Sequence, residues 1–422
     1  MITEVPSADE LRHHMADHLV RAGWIRTEPW RAAFLNVPRH EFVPEFSVRS
    51  RGSLHRYSKG DPAWLTAAYS DASLLTQFDQ DGTATSSSTQ PSLMAHMLEA
   101  LDVRDADTVL EIGAGTGYNA ALLSHRLGSD NVMTVDVDPD LVAAAKMRLR
   151  EAGYEPTLVV GDGTVGCPER APYDRLLATC GVGRIPDAWR EQVRPGGVIV
   201  ANVGCGIARL SVTADHSAGG RFLPELAGFM TARRSPDTVA TAAGRLVQPL
   251  LTWSDQTREI TIPASLDAAV PQLLASLVQP GVNEFALADD DGRQMRCLFD
   301  PVTSSWARIT MTGVQTARLD HGGSRDLWAE REPLLSHWRD AGRPGHDRYG
   351  LSVSADGAHA LWLDEPEGVS WGLPDQALAR MGTVSSSRPP RGAGGGLIPE
   401  AAASRRRAPA RPATRPVRRR SG

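Results

Sequence analysis

Val109-Leu-Glu-Ile-Gly-Ala-Gly-Thr-Gly-Tyr118 is followed by Val135-Asp136-Val-Asp138 and then by Val160-Gly-Asp162-Gly163. An apolar strand runs into a glycine-packed turn, a second strand ends in an acid, and a third ends in Gly-Asp-Gly. That order suits a nucleotide-like ligand laid across the carboxyl ends of a parallel sheet. The turn lets backbone approach the ligand, the first acid takes ribose hydroxyls, and the second acid lies by the base. A lone glycine-rich turn would serve equally well as an ordinary strand-to-helix connection; three strand ends in register go further. The spacing Gly113-x-Gly115-x-Gly117 departs from G-x-G-x-x-G, which seats a pyrophosphate on a helix N-terminus. A glycine loop without that phosphate geometry, preceded by Glu111, suits a cationic, phosphate-free ligand such as S-adenosylmethionine.

Working outward, apolar strand runs at 108–112, 132–136, 157–160, 174–179 and 197–203 alternate with helical runs such as 117–127 and 139–152. The alternation predicts an α/β, Rossmann-like fold, its parallel sheet covered on both faces. Upstream, residues 9–22 (Leu11, Met15, Leu19, Val20) and 29–36 have helical periodicity, and Val37-Pro-Arg39-His40-Glu-Phe42-Val43-Pro44 reads as a structured turn. Residues 47–70 read as irregular, and 91–101 as a helix with Pro91 at its start. Short alternating runs over 204–232 are expected to close the sheet edge as antiparallel strands.

Composition shifts near Arg233-Arg-Ser-Pro236, which gives three expected units: 1–235 catalytic, 236–378 a smaller α+β accessory domain, and 379–422 a disordered Arg/Pro-rich tail. Strands are expected at 258–263, 284–288, 294–299, 305–311, 350–354 and 359–363, and helices at 265–278 and 324–340. Six of the ten tryptophans fall in the accessory segment (Trp253, Trp306, Trp328, Trp338, Trp362, Trp371); they read as core packing or as a peptide-binding face.

The 422 residues are 41% hydrophobic, enough for a proper core. Four scattered cysteines (Cys167, Cys180, Cys205, Cys297) show no zinc or dithiol spacing, so no metal is expected and a reducing cytoplasm is. Neither a basic, apolar leader nor a run of about 18 apolar residues is present, so neither export nor membrane insertion is expected. The net charge of −5 divides into +9 for Arg388–Gly422, with ten arginines and one acid, and −14 for the remainder. Such a tail reads as a solvated extension or as a loose anchor for nucleic acid or an acidic peptide.

Several further pieces stand in a fixed order: Val37–Pro44, Ala68-Tyr69-Ser-Asp71, Ser87-Ser88-Thr89-Gln90-Pro91, the glycine loop, Asp136, Gly161-Asp162-Gly163, Ala171-Pro-Tyr173-Asp174-Arg175 and Arg194-Pro-Gly-Gly197. In this order, residues from about 10 to 232 resemble the protein-L-isoaspartate O-methyltransferases. The resemblance implies methyl transfer from S-adenosylmethionine to a peptide or protein carboxylate, giving a methyl ester and then a succinimide. It places the active-site serine of that family on Thr89, with Ser87 where the family has threonine and Ser88 an adjacent candidate. The same cluster also reads as helix capping before Pro91. For the cofactor it implies Glu111, Gly113, Gly115 and Gly117 at the methionine end, Asp136 on the ribose, and Asp162 with Gly163 at the adenine. Asp138 competes with Asp136 but suits a cap for the helix starting at Pro139. Arg39 and His40 read either as peptide contacts or as braces for their turn, and Asp71 as cofactor support or an Asx turn.

The accessory segment, with Trp338-Arg-Asp-Ala-Gly342-Arg-Pro344 and Leu361-Trp362-Leu-Asp364, resembles the extension of bacterial relatives that modify ribosomally made peptides. That resemblance implies an aspartyl precursor peptide and an ATP-grasp ligase as partners. The alternatives are housekeeping repair of isoaspartyl proteins and a non-catalytic, S-adenosylmethionine-binding partner that presents a peptide. A nucleic-acid methyltransferase is disfavoured, because Cys180 lacks a Pro-Cys context and no Asn-Pro-Pro-Tyr-like motif accompanies the loop.

Overall fold

A computed structural model describes residues 6–50, 52–236, 256–262, 266–288 and 294–374. Trp253 and the basic tail expected over 379–422 lie outside these residues. Met1–Thr383 forms one compact unit.

The chain opens with α1 (Ala8–Arg21), α2 (Glu28–Asn36) and the single turn α3 (Arg39–Phe42). Ser7 starts α1 with a capping box, its hydroxyl accepting from the Glu10 N–H while the Glu10 carboxylate accepts from the Ser7 N–H. Next come β1 (Glu45–Ser50), β2 (Ser53–Ser58), α4 (Trp64–Ala68), β3 (Leu74–Phe78), β4 (Ala84–Ser88) and α5 (Pro91–Leu101). These four strands form an antiparallel sheet in the order β2-β1-β3-β4, which corrects the irregular reading of 47–70. β1 buries only Phe46 and Ser47, and β2 buries nothing. So few inward apolar side chains leave no alternation to read.

The main sheet follows: β5 (Val109–Ile112), α6 (Tyr118–Leu127), β6 (Val132–Asp136), α7 (Pro139–Glu151), β7 (Thr157–Val160), β8 (Tyr173–Val182), α8 (Asp187–Gln192), β9 (Val193–Val203), β10 (Gly206–Val212) and β11 (Ala218–Leu226). Strands β9-β8-β5-β6-β7 are parallel. All four residues of β5 are buried, as a strand covered on both faces requires. From β5 the chain moves to β6 on one side and later returns to β8 on the other; a ligand crevice forms at such a reversal.

The remaining elements are β12 (Gln256–Thr261), α9 (Ala269–Val278), β13 (Asn283–Ala288), β14 (Gln294–Phe299), β15 (Trp306–Met311), β16 (Thr316–Gly322), α10 (Leu327–Asp340), β17 (Tyr349–Val353), β18 (His359–Leu363) and β19 (Ser370–Gly372). Strands β12-β16-β15-β14-β13 make a second antiparallel sheet. β17 pairs with β11, so the main sheet continues through β18 and β19. The expectation that 204–232 closes the edge is therefore corrected, since the partner of β11 lies far downstream, beyond the reach of local periodicity. Trp306, Trp328, Trp338 and Trp362 are all at most 6% exposed, which favours core packing over a tryptophan-lined face.

Candidate active site

A cavity of about 230 Å³ lies at the carboxyl ends of β5, β6 and β8. Its walls are the turn Gly113–Thr116, Val135–Val137, Thr179 and Cys180, the end of β4 from Thr85 to Thr89, and the loop 228–233. Of the residues implied by the sequence, Gly113, Gly115, Asp136, Gly163, Ser87, Ser88 and Thr89 line it together.

Gly113 sits at φ +99°, and a Cβ there would lie 2.7 Å from Thr179 Oγ1. That hydroxyl instead donates to the carbonyls of Ile112 (3.0 Å) and Gly113 (2.9 Å), pinning the turn to β8. Gly163 has no room for a side chain either, with Ile112 Cγ2 2.4 Å from the Cβ position. Gly117 lies away from the cavity; it starts α6 and faces Ala145 and Leu149 of α7.

Asp136 accepts from the Gly115 N–H through Oδ2 (2.9 Å) and from the Asp138 N–H through Oδ1 (3.1 Å). Burial raises its pKa above the ordinary value, against those two backbone bonds. Asp138 caps α7, accepting from the Asp140 and Leu141 N–H groups, and takes a hydrogen bond from Gln77 Nε2. Asp162 does not line the cavity; its Oδ1 accepts from the Thr164 N–H (2.8 Å) and hydroxyl (2.7 Å) and holds Gly163 in its turn.

Glu111 lies beneath the floor and is fully buried. Oε1 accepts from Asn119 Nδ2 at 2.7 Å, while Oε2 has no hydrogen-bond partner, and neither does Asn119 Oδ1. Burial pushes the Glu111 carboxyl up to about 7. Asn119, whose Oδ1 is unpartnered and which lines the cavity, calls for a ligand that donates hydrogen bonds at this end. The ammonium of S-adenosylmethionine does so, and the residues present fit that cofactor.

Across the cavity, Ser86 and Ser88 are buried on one face of β4 while Ser87 is half-buried on the other. The Ser88 hydroxyl is buried without a partner. The capping alternative for this cluster is not what forms: Asp71 caps α5 from a distance, accepting from the Ser92 N–H (2.9 Å) and Gln90 Nε2 (3.2 Å). Arg39 braces the wall. Fully buried, it donates through Nη1 to the Ala68 and Ser70 carbonyls and through Nη2 to those of Ala72 and Thr89, all within 3.0 Å. Burial lowers its pKa to about 10. His40 Nδ1 bonds the Tyr69 hydroxyl at 2.7 Å.

Asn119, Thr179 and the loop 228–233 were not anticipated from sequence. Asn119, one residue into the helix after the glycine loop, was findable; the loop carries no pattern. Its Arg233 is the one cation among the described lining residues. Cys180 also lines the cavity, but burial pushes its thiol up to about 12, which leaves it unsuited to nucleophilic attack.

Residues 10–223, about half of the chain, match the sequence profile of the protein-L-isoaspartate(D-aspartate) O-methyltransferase family. The chain belongs to this family. The protein-L-isoaspartate O-methyltransferase of Methanopyrus kandleri is 38% identical over 196 residues, 46% of this chain and 76% of its own. That of Thermococcus onnurineus is 38% identical over 199 residues, 47% of this chain and 80% of its own. A solved protein-L-isoaspartate O-methyltransferase covers 84% of this chain and 100% of its own at TM-score 0.50 and 24% identity. At that identity the likeness shows fold alone, and its coverage carries the shared fold past residue 223 into the extension. S-adenosylmethionine is the methyl donor that membership of this family implies.

Proposed function

We propose that the protein methylates the free carboxylate of isoaspartyl residues within polypeptides, in the manner of the repair methyltransferases. The observation that carries this reading is a buried, unpartnered Ser88 hydroxyl in the β4 segment that lines the same cavity as the glycine loop, in a chain of this family. Bound S-adenosylmethionine supplies an electrophilic methyl group on a sulfonium sulfur. Asp136 would hold the ribose hydroxyls, Gly163 would border the base with Asp162 fixing its turn from outside the cavity, and Asn119, anchored by the buried Glu111, would receive the ammonium. One hydroxyl of the set Thr89, Ser88 and Ser87 holds one oxygen of the acceptor carboxylate while the other oxygen attacks. A carboxylate with a pKa near ~4 is already ionised at neutral pH, so no general base is required. What the site contributes is alignment, which reaches about 7–11 kcal/mol in favourable cases. Leu93, Met94, Phe229 and Met230 line the cavity and keep water from the reacting atoms. The ester formed is a better leaving system than a carboxylate, and the following backbone nitrogen closes a succinimide.

A second reading is methylation of an aspartyl side chain in a ribosomally made precursor peptide, beside an ATP-grasp ligase. It is supported by Ser87-Ser88-Thr89, which departs from the Thr-Ile-Ser of the family, and by the extension. The 38% identity of the catalytic region to curated protein-L-isoaspartate O-methyltransferases weighs toward repair. Mass spectrometry of matched isoaspartyl and aspartyl peptides incubated with the cofactor separates the readings. Methylation of the isoaspartyl peptide alone supports repair, and methylation of the aspartyl peptide supports maturation. Turnover on either excludes a merely peptide-presenting partner.

A further inference from the structure

Beyond the methyl-transfer cavity lies a larger cleft of about 1100 Å³. One wall is the end of β8 and the start of α8, from Gly181 to Ala188, with Thr164 and Val165; the other is Asp356–His359 with Leu373 and Pro374. The two hollows share Thr231 and Ala232. The strip carrying these residues pairs with Gly181, whose N–H donates to the Met230 carbonyl while its own carbonyl accepts from the Ala232 N–H, each at 2.8 Å. The strip from Met230 to Ala232, bridged to Gly181, therefore borders both hollows.

Specific bonds tie the two walls together. Arg184 on one wall donates through Nη2 to the carbonyls of Pro374 (2.8 Å) and Leu277 (3.0 Å) in the extension. His359 of β18 accepts the Ile185 N–H at Nε2 (3.0 Å), while its Nδ1 bonds the Gly357 carbonyl (2.9 Å). Burial holds this imidazole down at about 4, so it stays neutral and able to accept. The lining mixes Val165, which is 55% exposed, and Pro374 with exposed Arg234, Asp187 and Asp356. Small apolar ligands prefer a closed, mostly apolar pocket; an open cleft with both signs of charge suits a polypeptide of mixed side chains.

We propose that this cleft binds the stretch of substrate polypeptide flanking the methylated residue, so that the extension acts as a second subsite for chain length. The inference rests on the reaction proposed above. An acceptor inside a polypeptide must leave the cavity with its chain, and the strip 231–232 is the lip it shares with the cleft.

The test uses the intact protein and two isoaspartyl peptides, one with a single residue on each side of the acceptor and one extended by several residues in both directions. The wild-type protein is expected to show a KM for the long peptide lower by about tenfold, equivalent to ~1.4 kcal/mol. Ala358→Trp, at an exposed position in the cleft, is expected to abolish that difference while leaving turnover of the short peptide unchanged. Arg234→Glu, also exposed, should reduce the difference without touching the short peptide. Equal KM values for the two peptides in the wild type, or Ala358→Trp and Arg234→Glu variants that keep the full preference or lose both substrates alike, would overturn the subsite. No transfer to either peptide would overturn the reaction itself, and the subsite with it.

Discussion

Glu111 is a buried carboxyl satisfied at one oxygen, and its protonation is tied to folding. Its folded pKa of about 7 stands above the unfolded value, so between roughly pH 4.5 and 7 the native state binds the extra proton. The contribution of this carboxyl to stability is therefore expected to be full below that window, to fall as pH rises through it by on the order of 3 kcal/mol, and to level off above. Urea unfolding of the cofactor-free protein across this range checks the slope, and Glu111→Gln should flatten it. On the acceptor side, Ser88→Ala and Thr89→Ala are each expected to lower kcat/KM by about 10- to 100-fold. Cofactor affinity, measured by calorimetry, should not change. An unchanged kcat/KM in both variants would remove the hydroxyl row from the chemistry. At this scale the sequence was legible where spacing carries meaning, as at Gly113, Asp136 and Gly163. It left Arg39 open between a peptide contact and a brace, because its partners are carbonyls that no sequence pattern marks.

At the scale of elements, two local devices hold the cavity walls. Asp71 reaches across sequence to cap α5 and so fixes the chain just after Thr89. Asp71→Ala is expected to cost about 1 kcal/mol in thermal or urea unfolding, with a drop in kcat larger than that cost explains. The turn after β7 depends on Gly163, where an added Cβ would overlap Ile112 Cγ2. Gly163→Ala should destabilise by about 1–3 kcal/mol and weaken cofactor binding in the same calorimetric assay. The parallel strands were legible because burial on both faces writes continuous apolar runs such as Val198–Val203. The sheet beside α4 and the strand β16 were not. In β16 only Ala317 and Leu319 are apolar on the core face, and the next position on that face is His321, which ends the alternation.

The whole molecule joins its two halves through one core. A single cluster contains Leu176 and Ile199 of the methyltransferase sheet together with Leu273, Leu319 and Trp328 of the extension. Trp328→Ala is expected to cost about 3–5 kcal/mol and to lower the melting temperature followed by circular dichroism and the temperature at which methyl transfer is lost by the same amount. Two separate transitions would show that the halves fold independently. This sharing was not legible, because the pairing of β17 with β11 joins distant stretches of chain, whereas the boundary near 235 rested on a local change in composition.

Carboxyl transfer in this cavity is tested by incubating the intact protein with an isoaspartyl peptide and S-adenosylmethionine labelled in its methyl group. The expected result is label on the peptide that mild base releases as methanol, since a carboxyl ester hydrolyses where N- or S-methyl groups persist. Absence of label, or label that survives base, would contradict carboxyl transfer at this site.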